Sequence, residues 1–313
     1  MHNLKDKKFF IFDMDGTIYL GESPLPNAIN FIEKINKNKR LIFFTNNASK
    51  NPAYYLEKLK NLGFPEDIQV LTSADVLIKF LKNHRKGKKI YLLGTPYLES
   101  MFRQSGINIV GRDASGAPDN SNPIVGADSI SAHQQNQHKS QVDSCQQNQC
   151  KSWADIESAP TDCPDIVVTS FDTTLTYDKL ERACTFIRNG AEWLTTHPDI
   201  NCPVENGGYI PDCGAINALI SVSTGKPLPK AFGKPYGEVI DMIEEIYGEK
   251  RQNMAMFGDR LYTDIALGKK NGVTAVLLLT GEGTLEDAQE LPEDLKPDFI
   301  FKDLFECERY FGE

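Results

Sequence analysis

The run Lys8–Asp13 (KFFIFD) leads straight into Asp13-Met14-Asp15-Gly16-Thr17, two carboxylates two residues apart beside a glycine. In an extended chain the period of two points Asp13 and Asp15 the same way, and Gly16 permits an abrupt turn after them. Adjacent carboxylates repel unless a cation or a proton lies between them, so the pair suits metal binding or acid–base work. Taken alone, the same string also makes an aspartate turn or a helix cap. Three further places carry related chemistry. Arg40–Thr45 (RLIFFT) ends at Thr45-Asn46-Asn47, a hydroxyl and amide donors suited to phosphate oxygens or to an ordinary Asx turn. Gly233-Lys234-Pro235 sets one lysine where the helical stretch Gly237–Tyr247 begins, although a lysine there also reads as a surface residue. Met254–Gly258 (MAMFG) runs into Asp259-Arg260-Leu261-Tyr262-Thr263-Asp264, where Gly258 frees the backbone and Asp264 also fits a helix N-cap.

Asp13, Asp15, Asp259 and Asp264, with the Thr45 hydroxyl and the Lys234 ammonium, make a hard, oxygen-rich set carrying one cation. Such a set suits Mg²⁺, which keeps several waters and takes a few carboxylates together with a substrate phosphate.

These residues need a scaffold that gathers strand ends. Besides the three runs above, Lys89–Gly94, Asp165–Phe171, Thr274–Thr280 and the shorter Asp298–Phe301 read as strands. They are continuously apolar rather than alternating, as strands buried on both faces are. Between them lie stretches with helical spacing: Ile29, Ile32 and Ile35 share a face in Ala28–Asn36, as do Val239, Ile240, Ile243 and Ile246 in Gly237–Tyr247. Strand and helix in alternation predict the α/β class, a doubly wound, Rossmann-like parallel sheet. In such sheets ligands bind beyond the carboxyl ends of the strands, where the strand order reverses.

The chain's 313 residues suffice for about two domains. A composition of 40% hydrophobic and 25% charged residues excludes disorder as the global state. With 34 Lys and Arg against 43 Asp and Glu the formal charge is -9, which argues against a nucleic-acid partner. No run approaches the ~18 apolar residues of a membrane span, and the N-terminus lacks the pattern of a signal peptide. Seven irregularly spaced cysteines read as free thiols. The expectation is a cytoplasmic protein with no membrane partner.

One segment breaks the rhythm. Asp113–Pro164 holds seven Gln, eight Ser, four Asn and a single aromatic residue, Trp153, a composition that reads as a disordered insertion. Inside it a twelve-residue unit repeats, His133–Ser144 and Cys145–Ile156, with seven identities. At its first and sixth positions His is exchanged for Cys, so that His133, His138, Cys145 and Cys150 offer soft-metal ligands. Their wide spacing and the lack of a surrounding apolar framework favour a duplicated linker over a Zn²⁺ site.

The motifs together resemble those of the haloacid dehalogenase-like (HAD) superfamily of phosphatases: DxDGT at Asp13–Thr17, threonine at Thr45, lysine at Lys234 and GDxxxTD at Gly258–Asp264. The strings FFTNN (Phe43–Asn47), TTHPD (Thr195–Asp199), GGYIPDCGA (Gly207–Ala215) and GKPYGEV (Gly233–Val239) resemble the NagD-like and nitrophenyl-phosphatase-like subclass, which carries a large α/β cap. The resemblance implies a core formed by residues 1–75 and 230–313, with a cap at 76–229 that contains the 113–164 insertion. It implies Mg²⁺-dependent hydrolysis of a small phosphomonoester through an aspartyl-phosphate. Asp13 would be the nucleophile and Asp15 the general acid and base. Asp259, a carboxylate of Asp13 and the main-chain carbonyl of Asp15 would hold the metal, with Asp264 acting through bound water or by orienting Lys234. Thr45, Lys234, Asn46 and Asn47 would bind the phosphoryl group.

For substrate choice the segment Thr195–Asp212 is the candidate. A pyridoxal-phosphate-hydrolysing relative carries a substrate-contacting histidine there. An ungapped alignment back from Pro211 puts Cys202 at that place, with His197 as the substitute on a shifted loop and otherwise an ordinary surface histidine. Phosphoglycolate, nucleotide monophosphates and sugar phosphates all stay open. Related caps dimerise, and the apolar Ile216–Val222 would serve a homodimer. The rival readings are a non-catalytic or slow-turnover aspartyl-phosphate binding protein, a phosphomutase and a dehalogenase. Asp15 speaks against the first, because an acid–base group there speeds breakdown of the acyl phosphate. It speaks against the dehalogenase too, since a halide leaving group needs no proton.

Overall fold

The apolar runs fold as parallel strands. In this computed structural model, which describes residues 3–110, 163–204 and 208–312, two parallel sheets are flanked by helices. The first sheet takes β1 (Phe9–Phe12), β4 (Arg40–Thr45), β5 (Gln69–Thr72), β13 (Met254–Gly258), β14 (Thr274–Leu278) and β15 (Phe299–Phe301). The second takes β6 (Lys89–Leu93), β7 (Asn108–Ile109), β8 (Ile166–Thr169), β9 (Glu192–Thr195) and β12 (Lys230–Ala231). Two antiparallel hairpins complete the set, β2 (Tyr19–Leu20) with β3 (Ser23–Pro24) and β10 (Asn201–Val204) with β11 (Gly208–Pro211).

The order in the first sheet is β15-β14-β13-β1-β4-β5, with every neighbouring pair parallel. From β1 the chain steps outward to β4 and β5. Later it returns on the other flank of β1 at β13 and steps outward again to β14 and β15. The order therefore reverses at β1 and β13, the place where a doubly wound sheet opens a crevice. Their register, Phe12 opposite Phe257, sets the two strand ends level.

All four β1 residues are buried, because the sheet is covered on both faces. Phe9 and Ile11 join a cluster with Ala74, Leu77, Val239 and Ile243, from the helices Ser73–His84 and Glu238–Tyr247. Phe10 and Phe12 join the opposite cluster with Phe31, Ile32, Tyr55, Leu59 and Leu304. The first cluster continues into Leu92, Phe102, Val168 and Leu194 around the second sheet, so one apolar core links the two sheets. That second sheet runs β12-β9-β8-β6-β7 and is also wholly parallel.

Helix facing departs from the simple spacing in two places. Phe31, rather than Ile29, is fully buried in the first helix, and Met242 is buried while Ile246 is 51% exposed. A turn of 100° per residue leaves only part of each apolar set directly under the sheet. Of the Ile216–Val222 stretch, Ile216 and Ile220 are buried while Leu219 and Val222 are exposed. The five described cysteines are free thiols. Among the described residues no helix is long and apolar enough to cross a membrane. The repeat with His133, His138, Cys145 and Cys150 lies outside the described residues.

Candidate active site

Asp13 extends the ladder by one residue, its N–H donating to the Phe257 carbonyl (2.8 Å). The chain then turns at Gly16, whose φ of +82° is the left-handed conformation that glycine tolerates. A Cβ there would sit 2.7 Å from Asp259 Oδ2, so the turn also needs glycine in order to pass Asp259. Thr17 Oγ1 lies 3.1 Å from Asp259 Oδ1 and 3.4 Å from Asp13 Oδ2, tying the first strand end to the β13 end. Asp15 receives the Tyr19 hydroxyl at 3.4 Å.

Lys234 is buried, donates to Asp13 Oδ1 and lies 2.7 Å from Asp264 Oδ1. Asp264 Oδ2 accepts the Arg260 N–H (3.1 Å), so this carboxylate caps its own turn as well as facing the lysine. Gly258 serves this packing rather than a turn, since its Cβ would lie 2.2 Å from Asp264 Cγ. One ligand oxygen each from Asp13, Asp259 and Asp264 falls within 4.8 Å of the others. Three buried carboxylates thus meet one ammonium. Burial, with the Asp13 charge added, raises Asp259. Burial also raises Asp264, against the pull of Lys234. Burial would lower the Lys234 ammonium, but Asp13 and Asp264 hold it above the ordinary lysine value. The Asp15 carboxyl is pushed up to about 6 by burial and then by Asp13.

This donor set fits a divalent cation. Negative charge is in excess, and the buried Asp264 Oδ1 accepts no well-directed hydrogen bond, its approach to Lys234 being an oblique ion pair.

At the β4 end, Thr45 Oγ1 accepts the Asn47 N–H (3.1 Å), which leaves the hydroxyl proton free to donate. The side chain of Asn46 is fully engaged elsewhere. Its Oδ1 accepts Lys234 N–H (2.7 Å), and its Nδ2 donates to the Lys234 carbonyl (3.0 Å) and Asp199 Oδ1 (2.8 Å). Asn46 therefore fixes the backbone that carries the lysine. Asn47 Oδ1 is taken by Ser49 N–H and Oγ, at 3.0 and 2.7 Å.

The second sheet delivers the opposite wall from the end of β9, through Thr195-Thr196-His197-Pro198-Asp199. His197 is no surface residue: it is wholly buried, Nε2 2.9 Å from Asp212 Oδ1 and Nδ1 2.8 Å from Thr196 Oγ1. Thr196 Oγ1 also lies 2.9 Å from Ser170 Oγ, so both ring nitrogens of His197 have a polar neighbour. Burial alone would lower this imidazole, but Asp212 beside it holds it above the ordinary histidine value. Cys202 is half-buried at the cleft, where burial raises its thiol to about 12, leaving a neutral S–H.

Asp199 and Arg260 carry structural weight that their sequence context did not announce. Arg260 Nη1 donates to Asp199 Oδ2 (3.1 Å), and its Nε lies 3.1 Å from Glu282 Oε2. The Asp199 carboxylate thereby joins the β9 loop to both the β4 and β13 loops. The only local signal was a basic residue inside the acidic, glycine-led string GDRLYTD. Asp199→Ala takes from the part-buried Arg260 one of its two acidic partners, and should lower stability by about 1–3 kcal/mol in chemical denaturation. An unchanged denaturation midpoint would mean that Glu282 suffices.

Asp13, Asp15, Thr45, Asn47, Cys202 and Lys234 line one cleft with Asp199, Asp212 and Arg260. Its free volume is about 30 Å³, the share of roughly one water in the liquid. A larger cavity of about 680 Å³ lies at the amino ends of the strands, beside Lys7, Thr274 and Asp298, and none of the motif residues lines it.

The haloacid dehalogenase-like hydrolase family matches residues 10–108, and the related HAD-hydrolase-like family matches 231–307. An acid sugar phosphatase of Staphylococcus aureus (strain MRSA252) is 30% identical over 308 residues, covering 97% of this chain and 98% of that protein. The chain belongs to the haloacid dehalogenase-like hydrolases. Among solved structures of this family, the 4-nitrophenylphosphatase of Thermotoga maritima superposes with a TM-score of 0.77 at 37% identity, over 99% of this chain and all of that one. A glycerol phosphate phosphatase of Mycobacterium tuberculosis, crystallised in complex with magnesium, shares the fold. Its TM-score is 0.74 at 24% identity, over 98% of this chain and 78% of that one. Within the haloacid dehalogenase-like hydrolases the chain stands with the NagD-like phosphatases.

Proposed function

We propose that this protein is a Mg²⁺-dependent phosphomonoesterase that works through an aspartyl-phosphate on Asp13. The observation that carries the reading is the setting of Asp13. It is a strand-end carboxylate paired with Lys234, clustered with Asp259 and Asp264, and followed two residues later by Asp15. One Asp13 oxygen attacks phosphorus while the bond from phosphorus to the ester oxygen breaks, and Asp15 gives its proton to the departing alkoxide. Asp15, now a carboxylate, takes a proton from water, whose oxygen attacks the same phosphorus and releases phosphate and free Asp13. Lys234 and the Thr45 hydroxyl hold the phosphoryl oxygens, and backbone around Asn46 and Asn47 shapes their seat. Asp13, Asp259 and the Asp15 carbonyl would hold Mg²⁺, with Asp264 beside them. The ion would neutralise charge on the attacking and transferred oxygens. The magnesium complex of the mycobacterial relative and the clustered oxygens of Asp13, Asp259 and Asp264 both support that assignment.

A panel of p-nitrophenyl phosphate, glycerol phosphate and sugar phosphates, assayed for released phosphate with and without Mg²⁺, tests it. Release only with the metal is expected. None across the panel would leave a slow aspartyl-phosphate binding protein as the better reading.

A further inference from the structure

Asp212 begins the helix Cys213–Thr224 and lines the catalytic cleft, with its side chain only 4% exposed. Its two oxygens differ. Oδ1 accepts the Cys213 N–H (2.5 Å) and lies 2.9 Å from His197 Nε2. Oδ2 has no hydrogen-bond partner among the described residues. The carboxylate is locked in place by the helix start on one side and by the buried His197 on the other. A carboxylate oxygen fixed this firmly, with no protein donor and with its residue lining the cleft, presents a ready acceptor to a ligand there.

The rest of the wall narrows what that donor is. Lys234 is matched to Asp13 and Asp264, and Arg260 to Asp199 and Glu282, so both cations of the cleft are already paired. The His197 ring lies wholly buried against Asp212 Oδ1. Asn47 Nδ2 has only Cys202 Sγ near it, at 4.0 Å, and so keeps donors available. An aliphatic hydroxyl donates as well as accepts, and so suits the unpartnered Asp212 Oδ2. A carboxylate or second phosphate only accepts, and would face Asp212 oxygen to oxygen with no free cation to offset it.

We propose that Asp212 is a specificity-determining residue whose Oδ2 accepts a hydroxyl of the leaving group, so that the enzyme prefers phosphomonoesters of neutral polyhydroxy compounds over those of hydroxy acids. The proposal rests on the phosphomonoesterase reading above. His197 then acts as a positioning residue, holding Asp212 from behind.

The test compares kcat/KM for glycerol 3-phosphate, phosphoglycolate and p-nitrophenyl phosphate, the last offering no aliphatic hydroxyl, in the wild type and in Asp212→Asn. Asparagine keeps the shape and caps a helix as well as aspartate does. The wild type should prefer glycerol 3-phosphate to phosphoglycolate. The variant should lose about 10- to 100-fold on glycerol 3-phosphate, hold p-nitrophenyl phosphate within about threefold and gain on phosphoglycolate. An equal loss on all three would make Asp212 a helix cap only. A wild-type preference for phosphoglycolate would overturn the proposal even if the variant does not fold. Both of those outcomes leave the hydrolase reading intact, whereas no release from any of the three would sink that reading and this one with it.

Discussion

Asp13→Asn should reduce phosphate release by at least about 10⁴-fold, the scale seen when a nucleophile or its essential partner is removed. An amide nitrogen or oxygen in that place is a poor nucleophile, and no other carboxylate of the cluster follows β1 directly. The same change should leave the protein as stable as before or slightly more so. It relieves repulsion of Asp13 with Asp259 and Asp264, while Lys234 keeps Asp264 as a partner 2.7 Å away. Colorimetric phosphate assay and thermal melting, read on one preparation, separate the two effects. Turnover at the ordinary rate in a folded Asp13→Asn protein would remove Asp13 from the nucleophile's role.

Stripping divalent cations with a chelator should abolish turnover and lower the melting temperature, and returning Mg²⁺ should restore both. Asp259 and Asp264 are each raised by burial among like charges, so the cation-free site holds its carboxylates under mutual repulsion. A cation that binds only the folded chain adds about 2.7 kcal/mol at a hundredfold excess over its dissociation constant. For a chain of 313 residues that corresponds to roughly 4 °C. Asp259→Asn removes one ligand and one charge, and should erase most of the Mg²⁺-induced shift whatever the variant's activity. A melting temperature indifferent to chelator, together with undiminished turnover, would sink the metal assignment.

The strand-end motifs were readable because continuous apolar runs announce strands buried on both faces, and polar residues just beyond them must lie at a sheet edge. Weaker strands escaped notice for the same reason. Gln69–Thr72 and Glu192–Thr195 are four residues each, mix polar with apolar side chains, and owe their state to the neighbours they pair with. Ile246 and Met242 exchanged expected burial because spacing fixes a face but not how wide a strip of it the sheet covers.

His197 shows the limit most clearly. In a polar loop between Thr196 and Pro198 it has every local mark of a surface residue. It is buried with Asp212, fifteen positions on, against Nε2 and Thr196 against Nδ1. Arg260 and Asp199, sixty-one positions apart, pair by the same logic.

From its own order of residues the chain dictated the α/β class, the carboxylates and lysine that stand at strand ends, and the hard-ligand character of the site, since each follows from near-neighbour patterning. Tertiary structure alone decided which charges meet, that Asn46 clamps the lysine's backbone, and that one oxygen of Asp212 is left bare toward the cleft. Ion pairs and desolvation depend on distances between segments far apart in the chain, and those distances exist only once the sheet order and the crossings between strands have brought the segments together.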